Sequence, residues 1–219
     1  MAYPTVSAPY GLKPINLIGG QVFAGQTRQF QIASAYNTNI FNGDVVKIVS
    51  GGTIEKDTGT TAATPVGIFI GCSYVNAQGQ TIYQQYFPAN TAAPTGTVIT
   101  AYVADDPDQL FKAVLVTGTT ADNTSSGLLP TYLGRTVIGS NAQLVQNAGS
   151  TTNGDSKVGV YTAAGATTTA TLPIRIIDVV PDTANSSGNF VEVIVKWNAP
   201  AFVTDALVGG HQYLNPTGV

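Results

Sequence analysis

The stretch VADDPDQLF, from Val103 to Phe111, carries three of the chain's twelve acidic residues within four positions. Such a cluster could bind a cation, act as an acid–base pair or form a turn. A calcium loop of the EF-hand type needs alternating ligands, a central glycine and a closing glutamate, and Asp105, Asp106 and Asp108 do not match that spacing. Carboxylates for glycoside hydrolysis must flank a substrate, whereas neighbours in a tight turn diverge.

A turn explains the cluster better. Asp before Pro favours a turn, because Pro107 restricts the backbone and Asp side chains accept hydrogen bonds from nearby N–H groups. The pattern therefore predicts a turn between a strand ending near Ala104 and one beginning near Leu110, with calcium binding as the alternative. Replacing Asp105 and Asp108 by asparagine should then change the stability by about 1 kcal/mol or less.

Other candidate catalytic residues are isolated. The tetrad Asp57-Thr58-Gly59-Thr60 matches the D-T-G-[ST] motif of aspartic proteases, but Glu55 and Lys56 precede it, which indicates an exposed strand end. The motif has no second copy, so an aspartic hydrolase acting through Asp57 is a remote alternative. Cys72 and His211 are each the only residue of their kind. We assign no catalytic residue, metal site or cofactor, and we expect that the chain is not an enzyme.

The composition points to a neutral surface. Charged residues make up 10% of the chain, against about 25% in an ordinary soluble domain, and none lies between Asp57 and Asp105. The net charge of −3 provides no basic field for nucleic acid, and no apolar run is long enough to predict a membrane span or a secretion signal. A neutral surface suits a protein that packs against others, although a monomeric β protein is the simpler alternative.

Short runs rich in Val, Ile, Thr and Tyr, separated by Gly, Asn and Pro, predict an all-β fold. A hairpin is expected with strands at Asp44–Val49 and Thr53–Lys56. The run PVGIFIGCSY predicts another strand, in which Gly67 and Gly71 mark a bulge or a close backbone approach. Further strands are expected at 81–87, 97–103, 111–116, 158–162 and 172–180.

The run NFVEVIVKWN predicts a strand with a clear inner face. Its alternation places Val191, Val193, Val195 and Trp197 on one side, and the valines identify that side as the core face. Phe190, Glu192, Ile194 and Lys196 belong to the other face.

The first 27 residues differ from the rest. Residues 1–27 are punctuated by proline and glycine and contain no repeat that could form a hairpin of its own, which predicts an extended arm. Its apolar residues should dock on its own core or on a neighbour. We predict that deleting residues 1–27 leaves a folded β domain with a near-native melting temperature and weakens attachment to the neighbour. We expect a β-barrel-like domain at 28–118 and a second β subdomain with a C-terminal tail at 119–219.

The order of whole segments carries a resemblance. YGLKPINLIGG is followed by NGDVVKIVSGGTIEKD, PVGIFIGCSY, YVADDPDQLF, ATLPIRIIDVV and HQYLNPTGV. Together they resemble virion structural proteins of tailed phages, in particular the decoration or cement proteins of phage capsids. The resemblance implies a small β-barrel or β-tulip that forms a homotrimer and clamps adjacent subunits of the major capsid protein from outside.

The predicted function is therefore a capsid cement protein, located on the exterior of a virion assembled in the host cytoplasm. Its partners would be the major capsid protein and neighbouring copies of itself, with no nucleic acid and no membrane. A tail or head-fibre adhesin that binds a host-surface glycan is the alternative. The arm and the tail supply the predicted partner-binding residues, which are Tyr3, Tyr10, Leu12, Ile15, Leu17, Tyr213 and Leu214.

Overall fold

A computed structural model describes residues 6–119, 121, 137–161, 169, 171–183 and 190–198. These residues form strands and no α-helix, with a 3₁₀ turn at Pro181–Thr183, which confirms the all-β prediction. The strands are β1 (Lys13–Leu17), β2 (Arg28–Ile32), β3 (Val45–Ile48), β4 (Ile54–Lys56), β5 (Gly67–Val75), β6 (Thr81–Gln84), β7 (Ile99–Ala104), β8 (Gln109–Val114), β9 (Asn141–Val145), β10 (Gly159–Tyr161), β11 (Ile174–Val179) and β12 (Glu192–Trp197).

Five strands close into a small barrel. β3 pairs with β4, β4 with β2, β2 with β7, β7 with β5, and β5 with β3, so the pairing returns to its start. The β2–β4 contact is parallel and the others are antiparallel. β6 extends the sheet from β5 and lies outside the ring. Apolar side chains fill the interior, namely Ile32, Ile40, Val46, Ile54, Phe69, Cys72, Phe87, Ile99, Ala101 and Val103.

Glycine positions shape the barrel as the sequence predicts. β3 and β4 form the expected hairpin, and Gly52 in its turn has a φ of +75°, a conformation that glycine adopts without steric cost. The register of β5 against β7 shifts between Phe69 and Gly71, which is the predicted bulge. A Cβ atom at Gly67 would lie 2.4 Å from the Ala104 carbonyl oxygen, so only glycine permits this approach.

The second sheet packs against the barrel. Its strand order is β1-β8-β12-β11-β9-β10. The core between the two layers takes Val45 and Ile68 from the barrel, and Phe111, Val193 and Val195 from the second sheet. The barrel wall is therefore apolar on both sides at this point, which is why residues 45–46 in β3 and residues 68–70 in β5 are continuous apolar runs rather than alternating ones.

The predicted inner face of β12 is confirmed for its valines. Val191, Val193 and Val195 are at most 5% exposed, and the half-buried Trp197 packs its ring 5.0 Å from that of Phe111. The opposite face is also buried. Glu192 and Lys196 on that face are 6% and 7% exposed, so β12 carries charged residues inside the protein.

The N-terminal segment docks on its own chain. β1 pairs with β8 through Lys13↔Lys112 and Pro14↔Phe111, and Leu12 just before it is fully buried in the core between the layers. The segment needs no hairpin of its own, because its partner is nearly 100 residues away. Pro14 is tolerated because β1 is the edge strand of its sheet. We therefore revise the expected effect of deleting residues 1–27: the deletion should lower the melting temperature, because it removes β1 and the buried Leu12.

The predicted domain boundaries stay predictions, but the sheets cross them. β1 lies within the predicted arm and β8 within the predicted barrel-like domain, yet both belong to the sheet that holds β9 to β12. Three strands were not predicted. β1 contains a proline, while β2 and β9 are rich in Gln and Asn, which are weak strand signals without knowledge of their partners.

A buried carboxylate joins the barrel to the loop before β10. Asp44, at the start of β3, is fully buried and accepts hydrogen bonds from the Phe41 N–H (2.9 Å) and the Ser156 hydroxyl (2.6 Å). The Lys56 ammonium lies 2.9 Å from the same carboxylate. Beside this junction the Leu12 N–H donates to the Gly43 carbonyl (3.0 Å), so three separate parts of the chain meet there.

The docked N-terminal segment predicts that Leu12→Ala will destabilise the protein. Removing a fully buried leucine side chain should lower the free energy of unfolding by about 2–5 kcal/mol, measured by urea denaturation. Val22→Ala is the matched control, because Val22 is 76% exposed and its truncation should change stability by about 0.5 kcal/mol or less. Equal effects of the two substitutions would show that the segment is not packed on the core.

Candidate functional site

A cleft lies beside the N-terminal segment, on the side of the second sheet that faces away from the barrel. Residues 6–10 form one wall and residues 153–157, from the loop between β9 and β10, form another. Its volume is about 440 Å³. Three lysines, two carboxylates and one tyrosine provide its charged and aromatic lining, namely Tyr10, Lys13, Lys112, Asp155, Lys157 and Glu192.

Three of these side chains form a connected cluster. Glu192 on β12 and Lys112 on β8 extend from neighbouring strands, and the Lys112 ammonium lies 3.0 Å from Glu192 Oε1. The Tyr10 hydroxyl donates a hydrogen bond to the same oxygen over 2.5 Å. The Glu192 side chain is 8% exposed, so a cation and a hydroxyl donor compensate its loss of hydration.

The surroundings of Tyr10 keep its hydroxyl neutral. Burial, reinforced by the hydrogen bond to Glu192 and by that residue's negative charge, raises the pKa of Tyr10 well above its ordinary value. The phenol is therefore a hydrogen-bond donor at neutral pH. Because the phenol holds its proton, this arrangement does not activate Tyr10 as a nucleophile or a general base.

Two lysines lie over the Tyr10 ring. The Lys13 ammonium is 4.6 Å and the Lys112 ammonium 5.8 Å from the ring centroid, within the range of cation–π contacts. Lys157 brings a third ammonium group to the cleft. Three of the chain's nine basic residues thus line one cleft. The site can bind an acidic group of a partner through ammonium donors, with Tyr10 as a rigid aromatic surface.

The structure separates the predicted partner-binding residues. Tyr10 lines the cleft, whereas Leu12 is fully buried in the chain's own core and presents no surface to a partner, which corrects its assignment. Ile15 and Leu17 are half-buried in β1. Tyr3, Tyr213 and Leu214 lie outside the described residues.

The acidic turn is confirmed as a turn. It joins β7 to β8, and the Asp106 carboxylate accepts a hydrogen bond from the Asp108 N–H (2.8 Å). The three carboxylates diverge, because Asp105 pairs with Arg28 and Asp108 pairs with Lys196, each over 3.0 Å. Across the described ranges, no group of three His, Cys, Asp or Glu residues is arranged to hold a metal ion.

Asp57 is not at an exposed strand end, so that prediction is wrong. It is 2% exposed, and its carboxylate oxygens accept hydrogen bonds from the Gly59 N–H (2.8 Å) and the Thr64 N–H (2.7 Å). A Cβ atom at Gly59 would lie 2.8 Å from Ala63 Cα. The D-T-G motif therefore has a structural use here, in which the aspartate holds the loop that follows β4.

Cys72 offers no reactive group to the cleft. Cys72 is buried inside the barrel, and burial raises the pKa of its thiol to about 12. His211 lies outside the described residues.

The sequence did not identify the buried charges of the second sheet. Glu192 and Lys196 belong to the β12 face opposite the valines, and the nearby Arg175 on β11 is 5% exposed, with Nε donating to Asn141 Oδ1 over 3.1 Å. Burial lowers the pKa of Arg175. The sequence pattern indicated the opposite, since a Glu and a Lys four residues apart on one face of a strand ordinarily indicate that this face is solvated.

Comparison with protein-family models, with curated proteins and with solved structures found no match to this chain. Within the described ranges, no helix is long and apolar enough to cross a membrane. Arguments about function therefore depend on the residues themselves.

The hydrogen bond in the cleft predicts that removing the Tyr10 hydroxyl will destabilise the protein. Tyr10→Phe leaves Glu192 without one of its donors and should lower the free energy of unfolding by about 1–3 kcal/mol at neutral pH. Because the Tyr10 pKa is raised in the folded state, this contribution is complete below the ordinary tyrosine pKa of about 10 and declines as the pH rises further.

Urea denaturation at several pH values measures this effect. Tyr86→Phe is the control, because among the described residues its hydroxyl has no hydrogen-bond partner and its ring stacks on Phe41. If both substitutions cost the same, the Tyr10–Glu192 bond does not contribute to stability.

The acidic turn leads to a second prediction, which revises the expected small effect of replacing both aspartates. Asp108→Asn leaves the buried Lys196 ammonium (8% exposed) with a weaker partner, so we expect a loss of about 1–3 kcal/mol. Asp105→Asn loosens a pair whose Arg28 side chain is 71% exposed and should cost under about 1 kcal/mol. Thermal or urea unfolding compares the two variants, and a larger cost for Asp105→Asn would contradict this ranking.

Proposed function

We propose that this chain is a capsid cement protein that binds the outside of a mature tailed-phage head and stabilises contacts between major capsid protein subunits. The order of its segments, which resembles phage decoration proteins, carries the proposal. The all-β fold is consistent with that class. A surface with few charges supports it further, because such a surface suits a protein packed against others.

Exposed apolar side chains add support for a packed environment. Val22, Ile48, Tyr83 and Val98 are between 52% and 76% exposed. They are spread over the barrel and the N-terminal segment, so contacts on more than one side are available to a lattice. Scattered exposed hydrophobic residues are common on monomers too. The main argument for the proposal is therefore the order of the segments.

The mechanism is mass action. A protein that binds only the mature lattice stabilises that lattice by its binding free energy. Repeated contacts with several capsid subunits, and with neighbouring copies of this chain, add avidity without new chemistry. No catalytic step is required.

The lysine-lined cleft is the surface that we assign to the capsid contact. Lys13 is exposed at its mouth, and Lys112 and Lys157 lie deeper. An acidic side chain of the major capsid protein matches these ammonium groups. Tyr10, one of the predicted partner-binding residues, is the anchor of this contact, whereas Leu12 belongs to the chain's own core.

The copy number in purified particles tests the proposal. Quantitative mass spectrometry should find the protein in stoichiometric relation to the major capsid protein. A few copies per particle would favour the alternative of a tail or head-fibre adhesin that binds a host glycan. Complete absence from particles would overturn the virion assignment.

A binding experiment tests the cleft. Lys13→Gln should reduce the occupancy of the protein on capsids that lack it, because one ammonium group is removed from the contact. Lys47→Gln removes the same charge from β3 on the barrel and should bind as the unmodified protein does. Equal occupancy of the two variants would exclude the cleft as the capsid contact.

A further inference from the structure

The free edge of the barrel sheet lacks the features that usually prevent a strand edge from pairing with another chain. β6 (Thr81–Gln84) pairs with β5 on one side, and among the described residues no strand pairs with its other side. Exposed sheet edges associate with other chains, and monomeric proteins commonly protect them with lysines, prolines or bulges. Apart from its short length, β6 has none of these features, since TIYQ is uncharged and its register with β5 is regular.

The backbone of β6 presents its hydrogen-bonding groups to this edge. In the turn between β5 and β6, the Asn76 N–H donates to the Gln80 carbonyl over 2.9 Å. Hydrogen-bonded pairs alternate along an antiparallel ladder. Ile82 therefore bonds to β5, whereas the N–H and C=O groups of Thr81 and Tyr83 point away from β5 toward the free edge.

The side chains at the same two positions are also accessible. Thr81 and Tyr83 lie on the outer face of the barrel, and Tyr83 is 74% exposed. A tyrosine buries a large rigid area on association at a low entropic cost, so it is a suitable anchor for a contact. The edge thus combines unpaired backbone groups with an available aromatic side chain.

The charge pattern identifies the occupant. In a contact between two copies about a two-fold axis, each patch meets itself, so any charge near the axis meets a like charge. No charged residue occurs anywhere between Asp57 and Asp105, a stretch that includes β5, β6, β7 and both turns that flank β6. A contact with a different protein places no such restriction on this surface, because opposite charges could face each other.

We propose that the free edge of β6 binds β6 of a second copy of this chain, antiparallel about a two-fold axis, so that the two barrel sheets become continuous. With the axis at Ile82, Thr81 of one copy faces Tyr83 of the other, and these residues exchange backbone hydrogen bonds on both sides of the axis. Such a contact is closed, since it uses one edge from each chain. It does not depend on capsid binding or on the lysine-lined cleft.

Sedimentation equilibrium of the full chain over a wide range of concentration tests the proposal. The unmodified protein should form dimers, and Tyr83→Lys should raise the dissociation constant by about tenfold or more, because two lysines then lie close together across the axis. Val22→Lys is the matched control, since Val22 is similarly exposed and lies far from β6 in sequence. The Val22→Lys variant should dimerise with the same dissociation constant as the unmodified protein.

Several results would overturn the proposal. A chain that stays monomeric at every concentration, an oligomer that Tyr83→Lys leaves unchanged, or an equal loss in both lysine variants would each do so. Circular dichroism of Tyr83→Lys should match that of the unmodified protein, and a variant that is unfolded is replaced by Thr81→Lys, which introduces the same charge at the same edge.

Cross-linking locates the contact directly. The Thr81→Cys and Tyr83→Cys chains, when mixed and oxidised, should form a disulfide-linked dimer, because facing residues in an antiparallel pair lie about 5.5 Å apart. Cys72 does not compete, since it is buried. Linkage of Tyr83→Cys to itself would also support the edge and would move the axis to Tyr83. The absence of any cross-link would overturn the proposal.

Discussion

The buried carboxylate of Asp44 is the interaction on which the arrangement of the two layers depends. Burying a charge is costly unless it is paired and hydrogen-bonded, and the partners of Asp44 come from distant parts of the chain, namely Lys56 on β4 and Ser156 before β10. The N-terminal segment joins at the same place, where Gly11 approaches Gly43 so closely that a Cβ atom at Gly11 would lie 2.6 Å from the Gly43 carbonyl oxygen. Satisfying this one carboxylate therefore fixes the barrel, the second sheet and the N-terminal segment relative to one another.

This junction also explains the location of the cleft. Once Gly11 is fixed, Tyr10 directly before it is held over the outer face of the second sheet, where it reaches Glu192. Lys13, three residues after Tyr10, lies on the same side. The cleft is thus a consequence of how the N-terminal segment enters the core. Tyr10 and Lys112 satisfy Glu192 within the chain, whereas Lys13 and Lys157 form no ion pair among the described residues.

The distribution of charge connects the fold to assembly. Several charged residues are used inside the protein, where Asp44, Glu192 and Lys196 have partners within hydrogen-bonding distance. The strands from β5 to β7 carry none. The part of the barrel wall formed by β5, β6 and β7 therefore generates little long-range repulsion between copies, which is compatible with dense packing on a lattice and with pairing of sheet edges.

Local patterns in the sequence determined the all-β fold, the β3–β4 hairpin, the bulge at Gly71, the turn at Asp106 and the inner face of β12. Each of these depends on backbone restrictions or side-chain alternation within a few residues, which are present in any single stretch of sequence. The tertiary structure alone decided that Pro14 lies in a paired strand, that Asp57 is buried and that Glu192 meets Tyr10 across 182 positions. Whether a polar side chain is exposed or buried depends on partners that the fold brings from distant segments, and no local pattern records them.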